Sequence, residues 1–84
     1  MEDRSTARSL KGLADLYKDQ GKFEKAEPLY QQALSIWEKV LGLEYPEAAE
    51  VLDDYADLLR KMNREEEAAL LETRAIEIRN SVGS

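Results

Sequence analysis

Apolar residues recur at spacings of three and four along almost the whole chain, and the pattern breaks only around Gly21, Gly42 and Asn63. Ala7, Leu10, Leu13, Ala14 and Tyr17 form the first stripe, which predicts a helix over about residues 7–20. Asp3, Ser5 and Thr6 stand ready to cap it, and the polar residues 1–6 should fray. Gly21 suits the left-handed turn that ends a helix, and Lys22 leads straight into the next pattern. That second helix runs from Phe23 or Glu24 to Leu41, with Ala26, Leu29, Tyr30, Ala33, Leu34, Ile36, Trp37 and Val40 covering well over half its circumference. Such a helix needs neighbours on both flanks. Pro28 lies near its start, where little hydrogen bonding is lost and a slight bend is expected.

Gly42 ends the second helix, and Tyr45-Pro46 restarts the chain, because proline holds its predecessor extended and suits a first helical turn. A third helix is predicted from Pro46 or Glu47 to Met62, with Ala49, Leu52, Tyr55, Ala56, Leu58 and Leu59 apolar. Asn63 then takes the place of Gly21 as the next-best residue in a left-handed turn. The fourth helix spans about Arg64 to Ser81 and opens on Glu65, Glu66 and Glu67, where the helix dipole favours negative charge. Residues 81–84 should fray.

Moving Leu10, Ala14, Leu16, Ala26, Leu29, Ala33 and Ile36 along by 42 places lands on Leu52, Ala56, Leu58, Ala68, Leu71, Ala75 and Ile78. The helical hairpin therefore occurs twice. Alanines 14, 26 and 33, and their copies 56, 68 and 75, sit where a methyl group lets two helix backbones come close. The expected fold is all-α, two tandem antiparallel helical hairpins in one domain over residues 1–84, with the first repeat at 7–42 and the second at 49–82.

These residues resemble the tetratricopeptide repeat, whose small-residue positions they fill, with Leu10, Leu13, Tyr17 and Tyr30 as the surrounding large residues in the first copy. In the second copy Leu52, Tyr55 and Leu59 match and Glu72 departs. The 42-residue spacing, with Q-G-K-F-E-K-A-E-P-L-Y-Q-Q-A-L and V-L-G-L-E-Y-P-E, is most similar to the repeats of the kinesin light chain group. The resemblance implies an α-solenoid scaffold for protein binding. It names no ligand, because the shared residues of such repeats are structural.

Composition narrows the function further. Charged residues make up 36% and apolar residues 43%, which suits a folded helical chain. A net charge of −6 argues against nucleic acid and anionic membrane as main partners, since phosphate binding needs a basic face. There is no cysteine, no signal-peptide-like start and no apolar run of membrane-spanning length, all compatible with a cytoplasmic setting. With neither histidine nor cysteine, the usual general base and thiol nucleophile are missing, so no enzyme, cofactor or metal site is expected. Acid pairs such as Asp53 with Asp57 read as a solvated helix face.

The two copies differ where they matter for stacking. Tyr30 and Trp37 become Glu72 and Arg79, so the surface that would receive a third repeat is polar, as in the last repeat of an array. Two repeats are still fewer than the three or more that usually bury a continuous core. Either more repeats precede this segment, or two chains associate as a homodimer that covers Leu16 and Ile36; the polar residues 1–9 favour a free-standing start.

The resemblance places ligand contacts on the concave face lined by the first helix of each hairpin: Arg8, Lys11, Asp15, Lys18 and Asp19, then Glu50, Asp53, Asp54, Asp57, Arg60 and Lys61. Lysine, asparagine and arginine hold a peptide's terminal carboxylate in the chaperone-binding subgroup, and here Asp15 and Asp54 replace its asparagines. Two acids would repel that terminus. The paired asparagines of the kinesin light chain group are likewise absent, Lys11-Gly12 and Asp53-Asp54 standing in their place. The candidate groove thus has a negative centre at Asp15, Asp53, Asp54 and Asp57, edged by Lys11, Lys18, Arg60 and Lys61, and it suits a peptide or protein carrying Lys or Arg.

Overall fold

Four helices follow one another in two antiparallel hairpins: α1 (Arg4–Asp19), α2 (Phe23–Ile36, extended by a π-helical turn at Trp37–Leu41), α3 (Pro46–Lys61) and α4 (Glu65–Gly83). The computed structural model describes residues 3–42 and 45–83, and these contain no strand. Met1, Glu2, Leu43, Glu44 and Ser84, which carry parts of the expected frayed ends and of the link between repeats, lie outside the described residues.

Local chemistry sets each boundary. The Thr6 N–H donates to the Asp3 carboxylate at 2.9 Å, so α1 begins at Arg4, ahead of its apolar stripe. The stripe marks only the part of a helix that is buried. At the first reversal Gly21 has φ 77°, Lys22 N–H donates to the Tyr17 carbonyl at 2.8 Å, and Gly21 N–H donates to Lys18 at 3.0 Å. The second reversal repeats this closure with Asn63 at φ 62°, through Arg64 to Leu59 at 2.8 Å and Asn63 to Arg60 at 3.0 Å. Both are Schellman motifs, which satisfy the last carbonyls of one helix while turning the chain into the next. Tyr45 is extended before Pro46, and α3 starts there.

Two boundaries depart from expectation. The end of α2 widens into a π-turn, closed by a 2.6 Å bond from Gly42 N–H to the Trp37 carbonyl, with Gly42 at φ 101°. The wider turn keeps the Trp37 indole inside, next to the Tyr45 ring at 5.8 Å, while the chain leaves through glycine. The backbone of α4 also stays helical through Gly83 instead of fraying from Ser81.

Packing follows the alanines. Ala14, Ala26, Ala33, Ala56, Ala68 and Ala75 are all fully buried. The hairpins join through α2 and α3, where the Tyr30 and Tyr55 rings stack with centroids 5.8 Å apart and planes 13° from parallel. Gln31 Nε2 donates to the Tyr55 hydroxyl at 3.0 Å, and that hydroxyl donates to Glu27 at 2.7 Å. The resulting body measures 36 × 31 × 16 Å, two helices thick.

The first apolar stripe needs correcting at Leu13, which is 42% exposed. Ala7 and Ala14 are buried and Leu10 and Tyr17 pack on the core, whereas Leu13 lies with Leu16, 51% exposed, on a flank of α1 that no described helix covers. Their counterparts in the second copy, Tyr55 and Leu58, are buried beside α2. Ile36, expected on an open flank with Leu16, is instead only 4% exposed and shares a groove with Thr6 and Leu10 of α1.

These contacts predict opposite outcomes for two aliphatic changes. Ala33→Leu overpacks the α1–α2 approach and should cost about 1–3 kcal/mol, read from the urea midpoint. Leu16→Ala, on the bare flank, should change stability by less than about 0.5 kcal/mol.

Candidate functional site

Helix α1 is basic along the flank that meets α3, and α3 is acidic along the flank that meets α1. Arg8 Nε donates to Glu47 at 2.5 Å, with Arg4 at 3.5 Å from the same carboxylate. One turn on, Lys11 bridges two acids, Asp15 at 3.0 Å within its own helix and Asp54 at 2.7 Å across the seam. Lys18 reaches Asp57 at 3.2 Å. Three rungs of opposite charge therefore link the first helices of the two hairpins along one open face.

The middle rung is anchored from below. The Tyr30 hydroxyl donates to Asp15, whose other oxygen accepts from Lys11. The Tyr30 ring thus supports the rung on one side and stacks on Tyr55 on the other. Burial works against the Lys11 charge, but the bonds to Asp54 and Asp15 outweigh it and raise its pKa. The Arg8 hydrogen bond holds the Glu47 carboxyl below its ordinary value. Burial, then Asp15, pushes the Tyr30 phenol well above its usual range; burial, then Glu27, pushes Tyr55 up to about 12.

Not all of the expected groove residues meet at this seam. Lys11, Asp15, Lys18, Asp54 and Asp57 do. Asp53 instead accepts from Arg79 at 2.6 Å, and Arg60 makes a bidentate bond to Glu72, both on α4. These residues stand 42 places after Lys11 and Lys18, so they occupy the flank of α3 that faces away from α1. Lys61 is exposed at the end of α3. The negative centre is accordingly divided, and each of its four acids has a cation of this chain beside it. Lys11 and Lys18, expected at the edge of the negative centre, are bonded to its acids, because the adjacent first helices carry opposite charge.

Between the first and second rungs lies a cavity of about 230 Å³, lined by Ala7, Arg8, Lys11, Gly12, Trp37, Glu47, Glu50 and Val51. Ala7, Trp37 and Val51 are buried walls, and the charged residues form the mouth. The patterning of the chain does not single out Glu47, Gly12 or the Tyr30 hydroxyl. The opposite sign of Arg4, Arg8 and Lys11 on α1 against Glu47, Glu50 and Asp54 on α3 is the signal that points to the seam.

Among the described residues, no group of three or more acidic side chains is arranged to hold a metal ion, and no helix is long and apolar enough to cross a membrane.

Both phenols are held neutral by the fold, so their stabilisation is complete below about pH 10, the ordinary phenol value, and is lost as pH climbs from there toward 12. Lys11, with its raised pKa, loses its contribution over the same alkaline range. The urea midpoint should therefore hold up to about pH 10 and fall from there toward about pH 12, and Tyr30→Phe plus Tyr55→Phe should flatten the fall to the part owed to Lys11. An equally steep fall in the double variant would show that the phenols are not responsible.

A model of the tetratricopeptide repeat family matches residues 5–81. No curated protein matches the chain.

Proposed function

The match over residues 5–81 makes this chain a member of the tetratricopeptide repeat family, and we propose that it is a non-enzymatic scaffold that holds a peptide or partner protein against the face formed by α1 and α3. Repeats of this family mediate protein–protein interaction. The observation that carries the reading is the seam itself: cross-helix ion pairs hold α1 and α3 in fixed register, and a cavity opens between them. A preorganised surface loses less entropy on binding.

The partner we infer is extended or helical and carries Lys or Arg. The chain has a net charge of −6, and α3 alone presents Glu47, Glu50, Asp53, Asp54 and Asp57. The spacing resembles that of the long-period repeats of the kinesin light chain group, and we read residues 7–42 and 49–82 as two such repeats.

A structural role is the second reading, favoured by one comparison between the copies. Where α2 carries Tyr30 and Trp37, α4 carries Glu72 and Arg79, and these turn back to Arg60 and Asp53 of α3. The outer side of α4 is thus closed by its own ion pairs, while Leu13 and Leu16 leave α1 open to a second copy.

Fluorescence anisotropy with a labelled nine-residue peptide of alternating Arg and Ser, against its Glu counterpart, tests the first reading. The Arg peptide should bind better, weaken with salt, and lose at least about tenfold on Asp54→Lys plus Asp57→Lys, the two acids of α3 at the seam. Equal affinity of both peptides would remove it. Sedimentation tests the second: a dimer that dissociates on Leu13→Glu plus Leu16→Glu supports it, and a concentration-independent monomer rejects it.

A further inference from the structure

We propose that the cavity at the α1–α3 seam is a pocket for one arginine or lysine side chain of the bound peptide, its methylene stem lying over Gly12 and its cation at Glu50. This deepens the groove reading and rests on it.

Gly12 is the first argument. It stands in the middle of α1, where glycine weakens a helix relative to alanine. No turn needs it there, and a Cβ built on it would meet nothing within 4 Å, so no close neighbour needs it either. Packing within the chain leaves the residue unexplained. Its one structural consequence is a bare floor in the cavity, between Arg8 and Lys11.

Shape is the second. Ala7, Trp37 and Val51 back the cavity but keep almost no accessible surface, so the apolar ground left for a methylene stem is the exposed Gly12 backbone with the stems of Arg8 and Lys11 beside it. About 230 Å³ is room for one long side chain and is below the size of ordinary small-molecule sites.

Charge at the mouth selects the ligand. Arg8 is engaged by Glu47 at 2.5 Å, and Lys11 by Asp15 and Asp54. Glu50 makes no ion pair among the described residues, and Arg8 and Arg79 act on it only at longer range. The committed cations leave Glu50 as the open charge. A carboxylate ligand would be repelled by it, and a purely apolar side chain would shield it from water with nothing in return. An arginine or lysine provides both the stem and the cation.

Three variants of the full chain test this with the Arg–Ser peptide and with the same peptide carrying citrulline, a neutral analogue of arginine. Gly12→Ala and Gly12→Leu should raise the thermal midpoint by a few degrees, through better helix propensity, while Gly12→Leu weakens the Arg peptide at least about tenfold. Glu50→Gln should weaken the Arg peptide about tenfold and leave the citrulline peptide unchanged. Stability and binding then move in opposite directions, which a merely structural glycine would not produce. If the Arg peptide binds the wild type and Gly12→Leu equally, the pocket is refuted and the groove survives; if it binds the wild type no better than the Glu peptide, the groove reading fails and the pocket with it.

Discussion

Methyl groups set the spacing on which everything else in this molecule depends. Six alanines with no accessible surface let the helices of each hairpin approach closely enough for the larger side chains beside them to interlock. With that distance fixed, α2 is pressed between α1 and α3, and its Tyr30 and Trp37 become the material that joins the hairpins. The cross-helix ion pairs come last in this order. They lie at the surface, where single pairs contribute little, and they fix register more than they add stability.

Periodicity made the fold legible, because a buried face must repeat at the helical spacing wherever it is covered. It also showed both reversals, since Gly21 and Asn63 are residue types that tolerate the backbone they adopt. What it could not show was coverage. Leu13 and Tyr55 stand at equivalent places in the two stripes, yet one is exposed and the other buried, because a hairpin packs ahead of α3 and, among the described residues, none packs ahead of α1. A stripe records what a helix offers to its neighbours, and the neighbours decide what is used.

The candidate groove was legible in part for a related reason. Lys11, Asp15, Lys18, Asp54 and Asp57 fall on one face by their spacing, and they meet there. The pairing of Asp53 with Arg79 and of Arg60 with Glu72 depends on how far α4 side chains reach around α3, which no single-helix pattern encodes. The same two positions change from aromatic on α2 to charged on α4, with partners of opposite sign waiting on α3. Tyr30's bond to Asp15 was hidden because a tyrosine in an apolar stripe reads as core, although its hydroxyl supports a surface rung.

The slab is only 16 Å across its thin dimension, two helices deep, so its core is the one layer of side chains held between them. Amide protection against hydrogen exchange is then expected to grade along the row of helices, highest in α2 and α3 and lowest at the two outer members. A molecule laid across α1 and α3, as proposed, would act like a strap over that row, slowing the release of an outer member and coupling its occupancy to the rigidity of the hairpins beneath it.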